Sequence, residues 1–130
     1  MDRTLQTDIR RVRGLGSAHH GTEHFWQKRL TGLILLPLAL FIFYLCVSAA
    51  GQDYNEVRHL FGSPLGVFSI LLFTVMTAYH MYLGMQVIIE DYVSHFKVRL
   101  ALLILNKSTA LIVVFGTIVA LLELFPKGQV

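Results

Sequence analysis

A chain of 130 residues that is 55% hydrophobic and only 15% charged, with a mean hydropathy of +0.61, is too apolar to be a water-soluble domain. Its net charge of +3 comes from basic residues that flank apolar runs without any recognition motif, which argues against nucleic acid as a partner. Little chain remains outside those runs, so any water-phase catalysis falls to other polypeptides. The runs Leu30–Ala50, Leu65–Ile89 and Leu100–Leu122 are each long enough to cross a hydrocarbon core, which takes roughly 20 helical residues. Nothing alternates like barrel strands, and backbone groups in lipid must be satisfied within the segment, so the spans are helices. The expected fold is an all-α membrane protein of three transmembrane helices.

Residues 1–29 form a polar N-terminal arm. It lacks the apolar core and small-residue cleavage site of a secretory signal, and Asp2 and Asp8 are unlike a mitochondrial presequence. The reading is therefore a bacterial inner-membrane protein. Residues 14–17 (Gly-Leu-Gly-Ser) read as a flexible turn, and His19, His20 and His24 follow with no role that the pattern assigns. Phe25 and Trp26 suit the headgroup layer, where a ring keeps one edge wet. Arg29, the last basic residue before the first span, reads as a snorkelling topology determinant or as a partner for a carboxylate, either a haem propionate or an acid of a quinone site.

The first span carries Pro37, expected to kink it, and Cys46, a packing residue with no second cysteine to bridge to. Ser63-Pro64 is a helix start, with a capping hydroxyl and a proline at the first turn. Gly62-x-x-x-Gly66 at that start is a weak packing motif.

His80 stands inside the second span, where an ionisable side chain marks a satisfied interior contact or a functional site. Two readings follow: an imidazole hydrogen-bonded to a neighbouring helix, or an axial ligand to haem iron. Gly84, one turn on, suits close helix packing or the approach of a flat macrocycle. Asp91 follows His80 by eleven residues, almost three helical turns, which places both on one face about 16 Å apart along the axis. Asp91-Tyr92 lies where the apolar run ends. It reads as an interfacial tyrosine beside a solvated acid, or as a quinone site in which the phenol donates to a carbonyl and the carboxylate orients it or relays protons. Glu90 reads as an interfacial charge.

If haem binds, the ligand arithmetic points outward. The other histidines lie in the arm or loops, and Met76, Met81 and Met85 share the helix of His80. A second axial ligand must then come from another polypeptide. In the third span, Asn106 and Lys107 read as snorkelling or interhelical contacts, Glu123 as interfacial, and Pro126 as the end, leaving 126–130 as a periplasmic tail. The arm holds six basic residues and the second loop adds Lys97 and Arg99, against Arg58 and Lys127 on the other side, so the N-terminus is expected in the cytoplasm.

Two segments resemble the small membrane anchor subunit of bacterial succinate dehydrogenase. One runs from Gly16 through His-His-Gly-Thr-Glu-His-Phe-Trp-Gln-Lys-Arg to Thr31. The other runs from His80 to Val93 and is similar to the family's H-x(3)-G-x(6)-D-Y pattern. The resemblance implies that His80 is an axial ligand of a haem b shared with a second membrane anchor, the cytochrome b subunit. It further implies that Tyr92 hydrogen-bonds ubiquinone with support from Asp91, and that Arg29 lies near the haem propionates. Succinate oxidation, a step of the tricarboxylic acid cycle, would belong to iron–sulfur and flavoprotein subunits docked on the cytoplasmic face. The rival readings are a cofactor-free membrane tether and a small proton-coupled transporter subunit using His80 and Lys107 as a relay. A fumarate reductase anchor would run the same couple in reverse.

Overall fold

Four helices follow one another in the computed structural model, which describes residues 19–127, with side chains over 25–126. They are α1 (His19–Ala49), α2 (Tyr54–Gly62), α3 (Pro64–Tyr92) and α4 (Phe96–Lys127). Three are long and apolar enough to span a membrane, over Phe25–Ala49, Pro64–Tyr92 and Phe96–Pro126. The all-α, three-span expectation is met. The turn expected at residues 14–17 lies outside the described residues.

The boundaries differ in an instructive way. Helix α1 begins at His19, inside what the sequence reads as the polar arm of residues 1–29, because hydropathy marks where lipid starts and not where a helix starts. Pro37 lies within α1, which continues as helix on both sides of it. Lys97 and Arg99, expected in a loop, fall in the first turn of α4. Cations there oppose the helix dipole, so their placement answers to something other than the helix itself.

The nine-residue α2 goes beyond the sequence expectation. Its residues are amphipathic and far too short to span, so hydropathy alone shows them as loop. Glu56 in its first turn and His59 in its last both suit the dipole. Before it, Gly51 is the only described residue with a positive φ (84°), a conformation glycine adopts without steric cost as α1 turns away.

Ser63 joins α2 to α3. It is at once the residue after α2 and the N-cap of α3, with extended φ and ψ of −61° and 153°. Its hydroxyl donates to the Leu60 carbonyl at 2.8 Å and accepts from the Gly66 amide at 3.1 Å, so one side chain satisfies an orphan group of each helix. Pro64 occupies the first turn, as its sequence position predicts. The joint is tight: a Cβ on Gly66 would lie 2.5 Å from the Leu60 carbonyl oxygen and 2.8 Å from that of Phe61. Gly62-x-x-x-Gly66 thus packs one turn against the next instead of pairing two spans. The crowding atoms are backbone and cannot swing aside. Gly66→Ala is therefore expected to cost about 1–3 kcal/mol, the usual range for overpacking. A lowered thermal midpoint of the purified protein in detergent would register it, and an unchanged midpoint would show that the joint relaxes freely.

Helix α3 is central, packing against α1 on one side and α4 on the other. Among the described residues α1 and α4 do not meet, so the three long helices form a row and not a closed bundle. The buried positions follow from this: Thr31 and Leu45 on α1, Ser69, Ala78, Leu83 and Ile89 on α3, Leu121 on α4. Asn106 of α4 donates to the Tyr82 carbonyl of α3 at 3.0 Å, fulfilling the interhelical reading for that residue. Large apolar side chains such as Leu33, Phe43, Ile112 and Leu122 face outward, as lipid or a partner helix requires.

Candidate functional site

His80 does not face lipid alone. Its Nδ1 lies 2.9 Å from the Thr31 hydroxyl of α1, which is buried and also donates to the Gln27 carbonyl at 2.7 Å, with the Lys28 carbonyl at 3.1 Å. The ring edge rests against the next residue of α1, since a Cβ on Gly32 would lie 3.4 Å from His80 Cε1. A Cβ there would stand at ordinary van der Waals distance from the ring, so this face of α1 lies directly beside the imidazole. The interhelical contact foreseen as one reading of His80 is therefore present. It engages one ring nitrogen only, and Nε2 is left for a second partner. The ring is half-buried.

The surroundings of His80 suit a flat ligand. A Cβ built on Gly84 meets no atom within 4 Å, so that side of α3 is open one turn beyond the imidazole. Three residues before His80, the Thr77 hydroxyl is buried with no hydrogen-bond partner among the described residues. Phe73, Thr77, Met81, Asn106 and Thr109 line a groove of about 170 Å³ there, on the α4 side. No three His, Cys, Asp or Glu side chains cluster among the described residues. An imidazole tied at Nδ1 with Nε2 unengaged, beside an open glycine, has the chemistry to hold a haem iron.

Asp91 and Tyr92 close α3, both exposed, with Tyr92 84% exposed. Glu90 is held along its own helix by Gln86, whose amide donates to it at 2.9 Å, so Asp91 is the free carboxylate beside the phenol. Because α3 is one continuous helix, the sequence estimate of about 16 Å between the His80 and Asp91 levels carries over.

Arg29 lies two residues from Thr31, which puts its Cα about 3 Å along α1 from the level of the imidazole. In depth it is nearer His80 than the Asp91-Tyr92 pair. Its guanidinium lies over the Phe25 ring, 4.5 Å from the centroid. Lys107 lies on the opposite side of α3 from Thr31, lining a groove with Val75, Tyr79 and Tyr82. A His80–Lys107 relay is thus not brought together. The side chains of His19, His20 and His24 lie outside the described residues.

Sequence reasoning misses Thr31 and Gly32 as site residues. A threonine near the polar end of a membrane helix satisfies its hydroxyl on its own backbone, so its type and spacing carry no long-range signal.

An apolar three-helix row with a histidine held between two spans defines a class first: an integral membrane subunit built to work with other chains. The chain belongs to the succinate dehydrogenase/fumarate reductase transmembrane subunit family, which it matches over residues 3–124. It is similar to the succinate dehydrogenase hydrophobic membrane anchor subunit of Rickettsia conorii, 31% identical over 95% of this chain and 97% of that one. The protein of the same description from Rickettsia bellii is 31% identical over 89% of this chain and 93% of its own length. That of Paracoccus denitrificans is 29% identical over 66% and 67%. No solved structure matches the chain.

Proposed function

We propose that this chain is the small anchor of a succinate dehydrogenase in a bacterial inner membrane, holding haem b against a second anchor subunit and contributing to the ubiquinone-reduction site. The observation that carries the reading is the His80–Thr31 contact at 2.9 Å, which restrains the imidazole at Nδ1 and leaves Nε2 for iron. When bound, the haem supplies a one-electron carrier between the iron–sulfur partner and the quinone. Within this chain, His80 binds and orients that group, Gly84 leaves room beside it, and Arg29 neutralises a propionate after its guanidinium swings from Phe25. Tyr92 donates to a quinone carbonyl, and Asp91 orients the phenol or passes it a proton.

The row of helices supports the partner assignment. Helices α1 and α4 leave α3 uncovered between them, as expected of half a bundle whose other half is a cytochrome b subunit. Lys97 and Arg99, unfavourable for the dipole of α4, are accounted for by the positive-inside rule, which puts that end and the N-terminus in the cytoplasm. The iron–sulfur and flavoprotein subunits would dock there, beside Asp91-Tyr92, and oxidise succinate. Residues 1–29 then serve as the cytoplasmic arm, 30–125 as the membrane anchor and 126–130 as the periplasmic tail.

Purification of the tagged chain from native membranes in mild detergent tests the proposal. The expected result is co-purification of three further subunits, with a reduced-minus-oxidised spectrum of a b-type haem. An assembly that contains the flavoprotein and iron–sulfur subunits but shows no b-type haem bands in that difference spectrum would reduce this chain to a tether.

A further inference from the structure

We propose that Thr31 is a positioning residue that sets the tautomer of His80, placing the proton on Nδ1 and the lone pair on Nε2; this rests on the haem reading above. The Thr31 hydroxyl has one proton and two lone pairs. Its shortest contact, 2.7 Å, is to the Gln27 carbonyl, and the Lys28 carbonyl lies at 3.1 Å; both can only accept. The proton is committed to that pair of carbonyls. What the oxygen has left to offer Nδ1, at 2.9 Å, is a lone pair, so Nδ1 donates. A neutral imidazole carries one donor and one acceptor nitrogen, and Nε2 is then the acceptor, the form a metal ligand requires.

Two further features hold the arrangement. Thr31 is only 7% exposed, so water does not compete for its oxygen. The imidazole edge also lies against α1 at Gly32, with 3.4 Å between His80 Cε1 and the point where a Cβ would stand. The ring is thereby located by backbone contact and its proton by the hydroxyl. A hydrogen bond donated from the far nitrogen makes an imidazole a more basic ligand and favours the oxidised metal.

Thr31→Val, which keeps the shape and removes the acceptor, is the test in the assembled complex. The expected result is a haem midpoint potential shifted upward and haem retention on the order of tenfold weaker, as for other lost outer-shell partners. Thr31→Ser, which keeps the hydroxyl, should restore both. If the valine variant does not assemble, Thr31→Ala against Thr31→Ser gives the same comparison. Loss of haem in the hydroxyl-free variants with retention in the serine variant supports the proposal. A potential and retention equal to wild type without the hydroxyl would overturn it, as would haem loss in the serine variant, which would make Thr31 a packing residue. The underlying haem reading fails separately, on a wild-type haem spectrum in His80→Ala, a measurement that leaves Thr31 untouched.

Discussion

His80→Ala is expected to strip haem from the complex, with the Soret absorbance per assembled complex falling at least about tenfold. Loss of a mere outer-shell partner of a metal ligand typically costs about 10–100-fold in affinity, and the ligand itself contributes more. The substitution should leave the spans in place. It removes a half-buried ring and one hydrogen bond to Thr31, whose hydroxyl still has the Gln27 carbonyl at 2.7 Å. Interhelical hydrogen bonds in membranes average only about 0.6 kcal/mol, so haem loss would not be a symptom of unfolding. His80→Met provides the complementary case, because a thioether retains iron and raises its potential. A Soret band of wild-type intensity in the alanine variant would remove His80 from the ligand set and return it to the role of an interhelical contact.

Tyr92→Phe is expected to lower quinone reduction by about 100-fold while succinate oxidation by artificial dyes stays near wild type. The magnitude is that of losing a positioned proton donor, about 10²–10⁴-fold. The split between the two assays carries the inference. Dyes take electrons upstream of the quinone site, so a damaged complex would fail in both. In this chain Tyr92 is 84% exposed, and deleting its hydroxyl sacrifices no internal packing. Asp91→Asn should give a smaller loss, since an amide can still orient the phenol by donating to its oxygen but cannot relay a proton. Normal quinone turnover in Tyr92→Phe would exclude the phenol from the reaction.

Both predictions concern residues that stand out along the chain itself. A histidine inside an apolar run is conspicuous because lipid makes it costly, and an acid–phenol pair at the end of the run is conspicuous because the polarity changes there. Three turns of helix connect them in register, and α3 is continuous from Pro64 to Tyr92, so the spacing argument holds. Ser63-Pro64 is readable for a similar reason: capping and proline chemistry act within one turn. Other features are not readable. Helix α2 is held by contacts with α1, α3 and α4, which a hydropathy window cannot see. The helical residues before Phe25 are hidden because polar side chains are compatible with helix once the chain has left the lipid.

The amino-acid order alone determined that three helices cross a membrane, where each apolar run ends, and which side chains on α3 share a face. These properties depend on neighbours along the chain: hydropathy over about 20 residues and a pitch of about 3.6 residues per turn. Only the tertiary structure decided that the helices stand in a row with α3 central, that Lys107 lies across α3 from Thr31, and that His80 meets a threonine 49 residues away. Which residues of two helices touch depends on how their surfaces interlock. No periodicity along one helix encodes it, because the information is divided between two surfaces that meet only on folding.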